Sequence, residues 1–233
     1  MPTTAAIDPR EVEVWVFDLD NTLYPADCGM FPQVSQRMGQ FIARFFDTGL
    51  EEARAVQKRL FRSHGTTLRG LMVEHDLDPI PFLDYVHDID VTVIPHDGRW
   101  EEALGRLPGR KIIFTNGSLA HAERIMERLG VAPHFDGVYD IVAADFVPKP
   151  RLEAYRGLLR THAIDPERAV MIEDIAKNLE PAAALGMTTV LVPGHGDWAT
   201  EGSDGDHVHH LVDDLPGWLL RLTEDMIDAD EPN

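Results

Sequence analysis

The sequence predicts an α/β protein in which a doubly wound parallel sheet carries a helical domain inserted after its first strand. Three observations lead there. An apolar run, Val12 to Phe17, comes early; the stretch 25–107 reads almost wholly as helix; and from Lys111 onward short apolar runs alternate with helical segments. Strands alternating with helices of about ten residues are the pattern of βαβ units and a parallel sheet. Right-handed crossovers then place helices on both of its faces.

The first strand is apolar at odd and even positions alike, as expected of a strand buried on both faces. It ends in two carboxylates at alternate positions, Asp18 and Asp20, with a hydroxyl at Thr22. In the insertion, Val34, Met38, Phe41, Ile42 and Phe45 recur at helical spacing, and Val56, Leu60 and Phe61 continue the pattern. Gly49, Gly65 and the pair Pro79 and Pro81 divide it into about four short helices. KIIFT at 111–115 is the second strand, Ser118 a helix N-cap, and Gly130 the stop of the helix that follows. GVYDIV at 137–142, AVMIED at 169–174 and TTVLV at 188–192 supply further strands. Helices are expected from about Arg151 to His162, around Leu179 to Leu185, and from Leu215 to Met226. The boundaries are 1–24 and 108–233 for the α/β core and 25–107 for the helical insertion.

In open parallel sheets, ligands bind beyond the carboxyl ends of the strands. Those ends carry Asp18 and Asp20, Thr115 and Asn116, and Glu173 and Asp174. Taken alone, a DxD pair also reads as turn formers or helix caps. Its convergence with other strand-end polar groups argues for a site instead. Lys149, held between two prolines in VPKP, is a cation aimed at a fixed point, although a lone lysine is by default a surface residue.

These parts suit metal-assisted phosphoryl transfer. Asp18, Asp174 and a backbone carbonyl near Asp20 are hard oxygen ligands for Mg²⁺. Thr115 with the N–H groups of Asn116 and Gly117 can cradle phosphate oxygens at a helix N-terminus. Lys149 and the metal would stabilise developing charge, and an aspartate can itself be the nucleophile.

DLDNT at 18–22, TN at 115–116, KP at 149–150 and ED at 173–174 together resemble the four ordered motifs of the haloacid dehalogenase-like hydrolase superfamily. The resemblance runs from the first strand to about Pro193. It implies Asp18 as nucleophile, through an aspartyl-phosphate, and Asp20 as the acid that protonates the leaving oxygen and later the base that activates water. Thr115 and Lys149 become phosphate ligands; Asp174 binds Mg²⁺ directly, with Glu173 nearby. Superfamily dehalogenases lack the second aspartate, since a halide needs no proton on departure, so Asp20 points to a phosphatase. Asn178 stands where many relatives carry another acid, and is expected to hold a metal-bound water or orient Lys149. The insertion resembles a C1-type cap that closes over the site. DNTLYP at 20–25, GTTLRGL at 65–71 and EDIAKNLEPAAALGMTTVLV at 173–192 are similar to pyrimidine 5′-nucleotidases, which implies UMP or CMP as substrate. Phosphoglycolate, a sugar phosphate or a phosphomutase reaction is the alternative, and a non-catalytic binding module on the same fold a remote one. Arg69 reads either as a cap contact to substrate or as a stem covering a helix face.

A net charge of −19 disfavours nucleic-acid polymers and anionic membranes as partners, leaving a small phosphorylated metabolite. No apolar run reaches the ~20 residues that span a bilayer, and MPTTAAIDPR lacks the apolar core of a signal peptide. A cytoplasmic protein, monomer or homodimer, is therefore expected. The single cysteine, Cys28, excludes a disulfide framework and reads as a partly buried thiol. DHVHH at 206–210 reads as a surface loop rather than a metal site; His195 and Trp198 in GHGDW read as bordering the pocket or, more simply with Gly194 and Gly196 beside them, as a loop. The acidic tail 224–233 reads as a solvated terminus.

Overall fold

The computed structural model describes residues 6–194 and 201–227. His195, Trp198 and the end of the acidic tail lie outside the described residues. Six parallel strands form one sheet in the order β3-β2-β1-β4-β5-β6: β1 (Val14–Phe17), β2 (Arg110–Phe114), β3 (Gly137–Tyr139), β4 (Ala169–Glu173), β5 (Thr188–Leu191) and β6 (His210–Leu211). The chain winds from β1 towards one edge through β2 and β3, then returns to β4 on the other side of β1. The carboxyl end of β1 therefore sits at the topological switch point, where a crevice opens.

The pleat of β1 shows why its sequence is apolar throughout. Trp15 and Phe17 join Ile113, Val170 and Ile172 in one apolar layer, under α5 (Arg99–Arg106), α6 (Leu119–Leu129) and α9 (Leu215–Leu222). Val14 and Val16 join Ile112, Phe114 and Met171 in the other, under α7 (Leu152–Thr161) and α8 (Ala176–Ala184). Alternate side chains thus serve opposite layers, which leaves no solvent face to the strand.

Four helices of the insertion, α1 (Met30–Phe45), α2 (Leu50–His64), α3 (Thr67–His75) and α4 (Pro79–His87), enclose an apolar cluster of their own around Ile42, Leu60, Leu71 and Phe82. Helix α5, within the same stretch of sequence, instead buries Trp100, Ala103 and Leu104 in the layer of the sheet. The segment returning from the insertion is strapped to α6. Arg124 donates to the carbonyls of His87 and Ile89, and Arg128 to those of Thr92 and Ile94.

Three elements differ from the sequence reading. The third strand stops at Tyr139 because Asp140 turns the chain, accepting from the Leu119 and Ala143 amides, and Ile141 enters the insertion's apolar cluster. The last helix breaks at Thr223, whose hydroxyl donates back to the Leu219 and Leu220 carbonyls, so that a separate α10 (Glu224–Ile227) follows. DHVHH is not wholly a loop: His210 and Leu211 pair with Val190 and Leu191 as an edge strand. Thr189 fixes that register, its amide donating to the His209 ring and its hydroxyl to the His207 carbonyl.

Candidate active site

β1 ends by donating the Asp18 amide to the Ile172 carbonyl, which points the following turn over the sheet edge. Asn21 in that turn has φ 65°, a left-handed conformation that asparagine tolerates better than most residues. The Thr22 hydroxyl donates to Asp18 Oδ2 at 2.9 Å, and the Tyr24 hydroxyl to Asp20 Oδ1 at 2.6 Å. DLDNTLY therefore orients both of its own aspartates.

Lys149 arrives from the opposite side. Its backbone is held by the Asn116 side chain, which accepts from the Lys149 amide at 2.8 Å and donates to its carbonyl at 3.3 Å. The ammonium donates to Asp18 Oδ1 at 2.5 Å, to Glu173 Oε1 at 2.7 Å and to the Phe114 carbonyl at 2.9 Å. Glu173 is fixed in turn by the Asn178 amide at 2.6 Å and the Ile175 N–H at 2.8 Å. Asn178 thus orients the glutamate that holds the lysine.

Charge is scarce on the positive side. Asp18, Glu173 and Asp174 are buried with ligand oxygens within 4.8 Å of one another, facing the single ammonium of Lys149. Burial pushes the Asp18 carboxyl up to about 7; Lys149 opposes the shift, but Glu173 and Asp20 repel the charged form. Asp174 is raised for the same reasons, burial first and then Glu173 and Asp18. Burial alone would lower Lys149, but Asp18 and Glu173 outweigh it and hold the ammonium charged. The partners of the ion pair move in the same direction because one lysine serves several carboxylates.

This donor set fits a hard divalent cation. All its atoms are oxygens, they converge, and their negative charge exceeds what Lys149 offsets.

Asp20 is set apart from that cluster. Its side chain keeps 35% of its surface exposed, whereas His121, which meets Oδ1 at 2.9 Å, keeps 2%. Burial raises Asp20, but the charge and hydrogen bond of His121, the Tyr24 hydroxyl and His87 together hold it well below the usual carboxylate range. His87, at the end of α4, stacks on His121 with ring centres 4.2 Å apart and donates to or accepts from Ser118 at 3.0 Å. Burial and the neighbouring His121 push His87 down to about 3. A cleft of about 140 Å³ opens here between α4 and α6, lined by Leu83, Asp84, His87, Ser118, His121 and Arg124 among others.

Thr115 is buried, and its hydroxyl accepts from the Gly117 amide at 2.9 Å. In the first turn of α6, Leu119 N donates to Asp140 and His121 N to Ser118. Of the expected amide cradle, the Gly117 N–H is thus already bonded within the protein. The backbone N–H of Asn116 has no acceptor among the described residues. Arg69 lies half-buried on α3, and no described hydrogen bond joins its guanidinium to the site. From sequence, His87 reads as one of the insertion's satisfied or exposed histidines, and nothing singles out His121. Asp20 and His121 are 101 residues apart, so no local pattern pairs them.

A Rossmannoid sheet with a helical insertion after β1, and a lysine bridging carboxylates at the switch point, define a class of α/β hydrolase. The model of the haloacid dehalogenase-like hydrolase family matches residues 12–186, and the chain belongs to that family. It is 28% identical over 206 residues to phosphate metabolism protein 8 of Saccharomyces cerevisiae, covering 79% of this chain and 62% of the yeast protein's length. It is 26% identical over 196 residues to the glyceraldehyde 3-phosphate phosphatase of Methanocaldococcus jannaschii, covering 76% of this chain and 83% of that one. A HAD phosphatase structure from Thermococcus onnurineus superposes with a TM-score of 0.62 at 16% identity, over 92% of this chain and 98% of the other, a likeness of fold. None of the described helices is long and apolar enough to cross a membrane.

Proposed function

We propose that the protein is a Mg²⁺-dependent phosphomonoesterase. The observation that carries the reading is Lys149 bridging Asp18 and Glu173, with Asp174 in the same cluster and Asp20 facing the opening. Asp18 attacks phosphorus, forming an aspartyl-phosphate as the bond to the leaving oxygen breaks, and Asp20, whose open oxygen takes up a proton as the anionic ester binds beside it, gives that proton to the leaving oxygen. Water then attacks the phosphorus of the aspartyl-phosphate, losing a proton to Asp20, and phosphate departs with Asp18 restored. Lys149, the Thr115 hydroxyl and the backbone N–H of Asn116 are the proposed phosphate contacts; the Gly117 amide, expected beside them, already donates to Thr115. Asp18, Asp174 and the Asp20 carbonyl would hold Mg²⁺, with Glu173 and Asn178 behind them; the ion supplies positive charge against the phosphoryl oxygens.

For substrate, the motifs at 20–25, 65–71 and 173–192 favour a pyrimidine nucleoside monophosphate. The name of the archaeal relative favours a smaller ester, which keeps a second reading in view. Phosphate release from UMP, CMP, phosphoglycolate and glyceraldehyde 3-phosphate separates the two. UMP and CMP should lead in kcat/KM, and their ranking no higher than the small esters would sink the nucleotidase assignment. Asp18→Asn should abolish turnover and keep or raise the thermal midpoint, because it removes a buried like charge; retained activity would overturn the nucleophile.

A further inference from the structure

We infer that His121, together with Tyr24, is a positioning residue for Asp20: both pin Oδ1 so that Oδ2 alone is presented to the leaving oxygen. The inference rests on the acid–base role proposed for Asp20. A carboxylate accepts and does not donate, so at 2.9 Å the His121 Nε2 must carry the proton and give it to Oδ1. The Tyr24 hydroxyl donates to the same oxygen at 2.6 Å from the other end of the DLDNTLY turn. No hydrogen bond among the described residues reaches Oδ2, and that oxygen lies 3.7 Å from where a Cβ on Gly117 would stand, on the side of Thr115. One oxygen is doubly anchored and the other is open. A carboxyl held by one oxygen cannot swing about its terminal torsion, which otherwise is broad and nearly two-fold.

The ring of His121 is itself held on every side. Its backbone sits in the first turn of α6, where the amide donates to the Ser118 hydroxyl. Its face is covered by His87 from α4, nearly parallel at 16°. Its edge meets Gly117, where a Cβ would come within 3.0 Å of Cδ2, so a larger residue at 117 would push the ring aside. Since His87 belongs to the insertion and His121 to the core, the seating of the insertion and the aim of Asp20 share one contact. Nothing in α6 alone requires a histidine at this position: its Nδ1 is buried with no partner among the described residues, leaving the Asp20 contact as the ring's hydrogen bond.

The test uses leaving groups. Phenyl phosphate and p-nitrophenyl phosphate match closely in shape but differ in how much they need protonation. With Mg²⁺ saturating, His121→Phe keeps a ring against His87 and loses the donor. It should lower kcat/KM, which reports formation of the aspartyl-phosphate and not its hydrolysis, about 10- to 100-fold on phenyl phosphate and clearly less on p-nitrophenyl phosphate. His121→Gln, which keeps an N–H donor at similar reach, should recover most of the loss, and Tyr24→Phe should show the same leaving-group pattern in smaller degree. Equal losses in kcat/KM on both esters would overturn the inference. Should His121→Phe fail to fold, His121→Gln and Tyr24→Phe decide by the same comparison. Asp20→Asn separates the two levels. If it too loses equally on both esters, the acid role of Asp20 is wrong; if it discriminates and the His121 variants do not, only the positioning role falls.

Discussion

Removing the Lys149 ammonium would leave Asp18 and Glu173 facing each other where neither can reach bulk water. Breaking a buried pair by deleting one partner costs about 3–5 kcal/mol, because the charge left behind is uncompensated. Lys149→Met is therefore expected to lose roughly that much stability near neutral pH. The loss should shrink as pH falls, since a carboxyl with a raised folded value contributes stability below its unfolded value and loses it as pH rises through the folded one. Denaturant unfolding of the metal-free variant at about pH 5.5 and about pH 7.5 checks this; an equal deficit at both would contradict the charge account. The residues of this cluster were legible in the sequence because each closes a strand or a proline-bounded turn. His121, His87 and Tyr24 were not: two are placed by tertiary contact alone, and Tyr24 reads locally as an ordinary apolar residue.

The helices of the insertion depend on close approach as much as on apolar content. Gly70 on α3 packs so near α2 that a Cβ there would stand 2.7 Å from Leu60 Cβ, and Leu60 is fully buried. Gly70→Ala must separate the two helices, an overpacking cost of about 1–3 kcal/mol that outweighs alanine's better helix propensity. Hydrogen exchange should accelerate across α1 to α4 while the amides of β1, β2 and β4 remain protected; loss of protection in the sheet would show that the insertion and core unfold as one unit. Strand and helix alternation was readable from periodicity because β1, β2 and β4 are buried on both faces. The two-residue β6 carries no period, and its pairing is decided by Thr189, more than a dozen residues away. Helix α5 likewise reads as part of the helical stretch, and only packing reveals that Trp100 and Leu104 belong to the layer of the sheet.

At the scale of the molecule, a net charge of −19 surrounds a site that gathers carboxylates, and pH links the two. Asp18, pushed up to about 7, and Asp174, also raised, keep protons in the folded chain that the unfolded chain releases near the ordinary carboxylate value of about 4. Both contributions to stability are thus full below that value; that of Asp18 is lost as pH climbs through about 7, and that of Asp174 is likewise lost as pH rises through its raised folded value. A divalent cation reverses the balance, because it binds the ionised carboxylates and binds the folded chain far better than the unfolded one. Below about pH 6 the cation must displace protons to enter, whereas at about pH 8 Asp18 is already ionised. The rise in thermal midpoint caused by about 10 mM Mg²⁺ should accordingly be several degrees larger at about pH 8 than at about pH 5.5. Asp174→Asn removes a proposed ligand and should flatten the difference. A scan of the wild-type chain at both pH values, with and without Mg²⁺, measures it; an equal shift at the two would mean that the cation binds elsewhere on the acidic surface and not among these carboxylates.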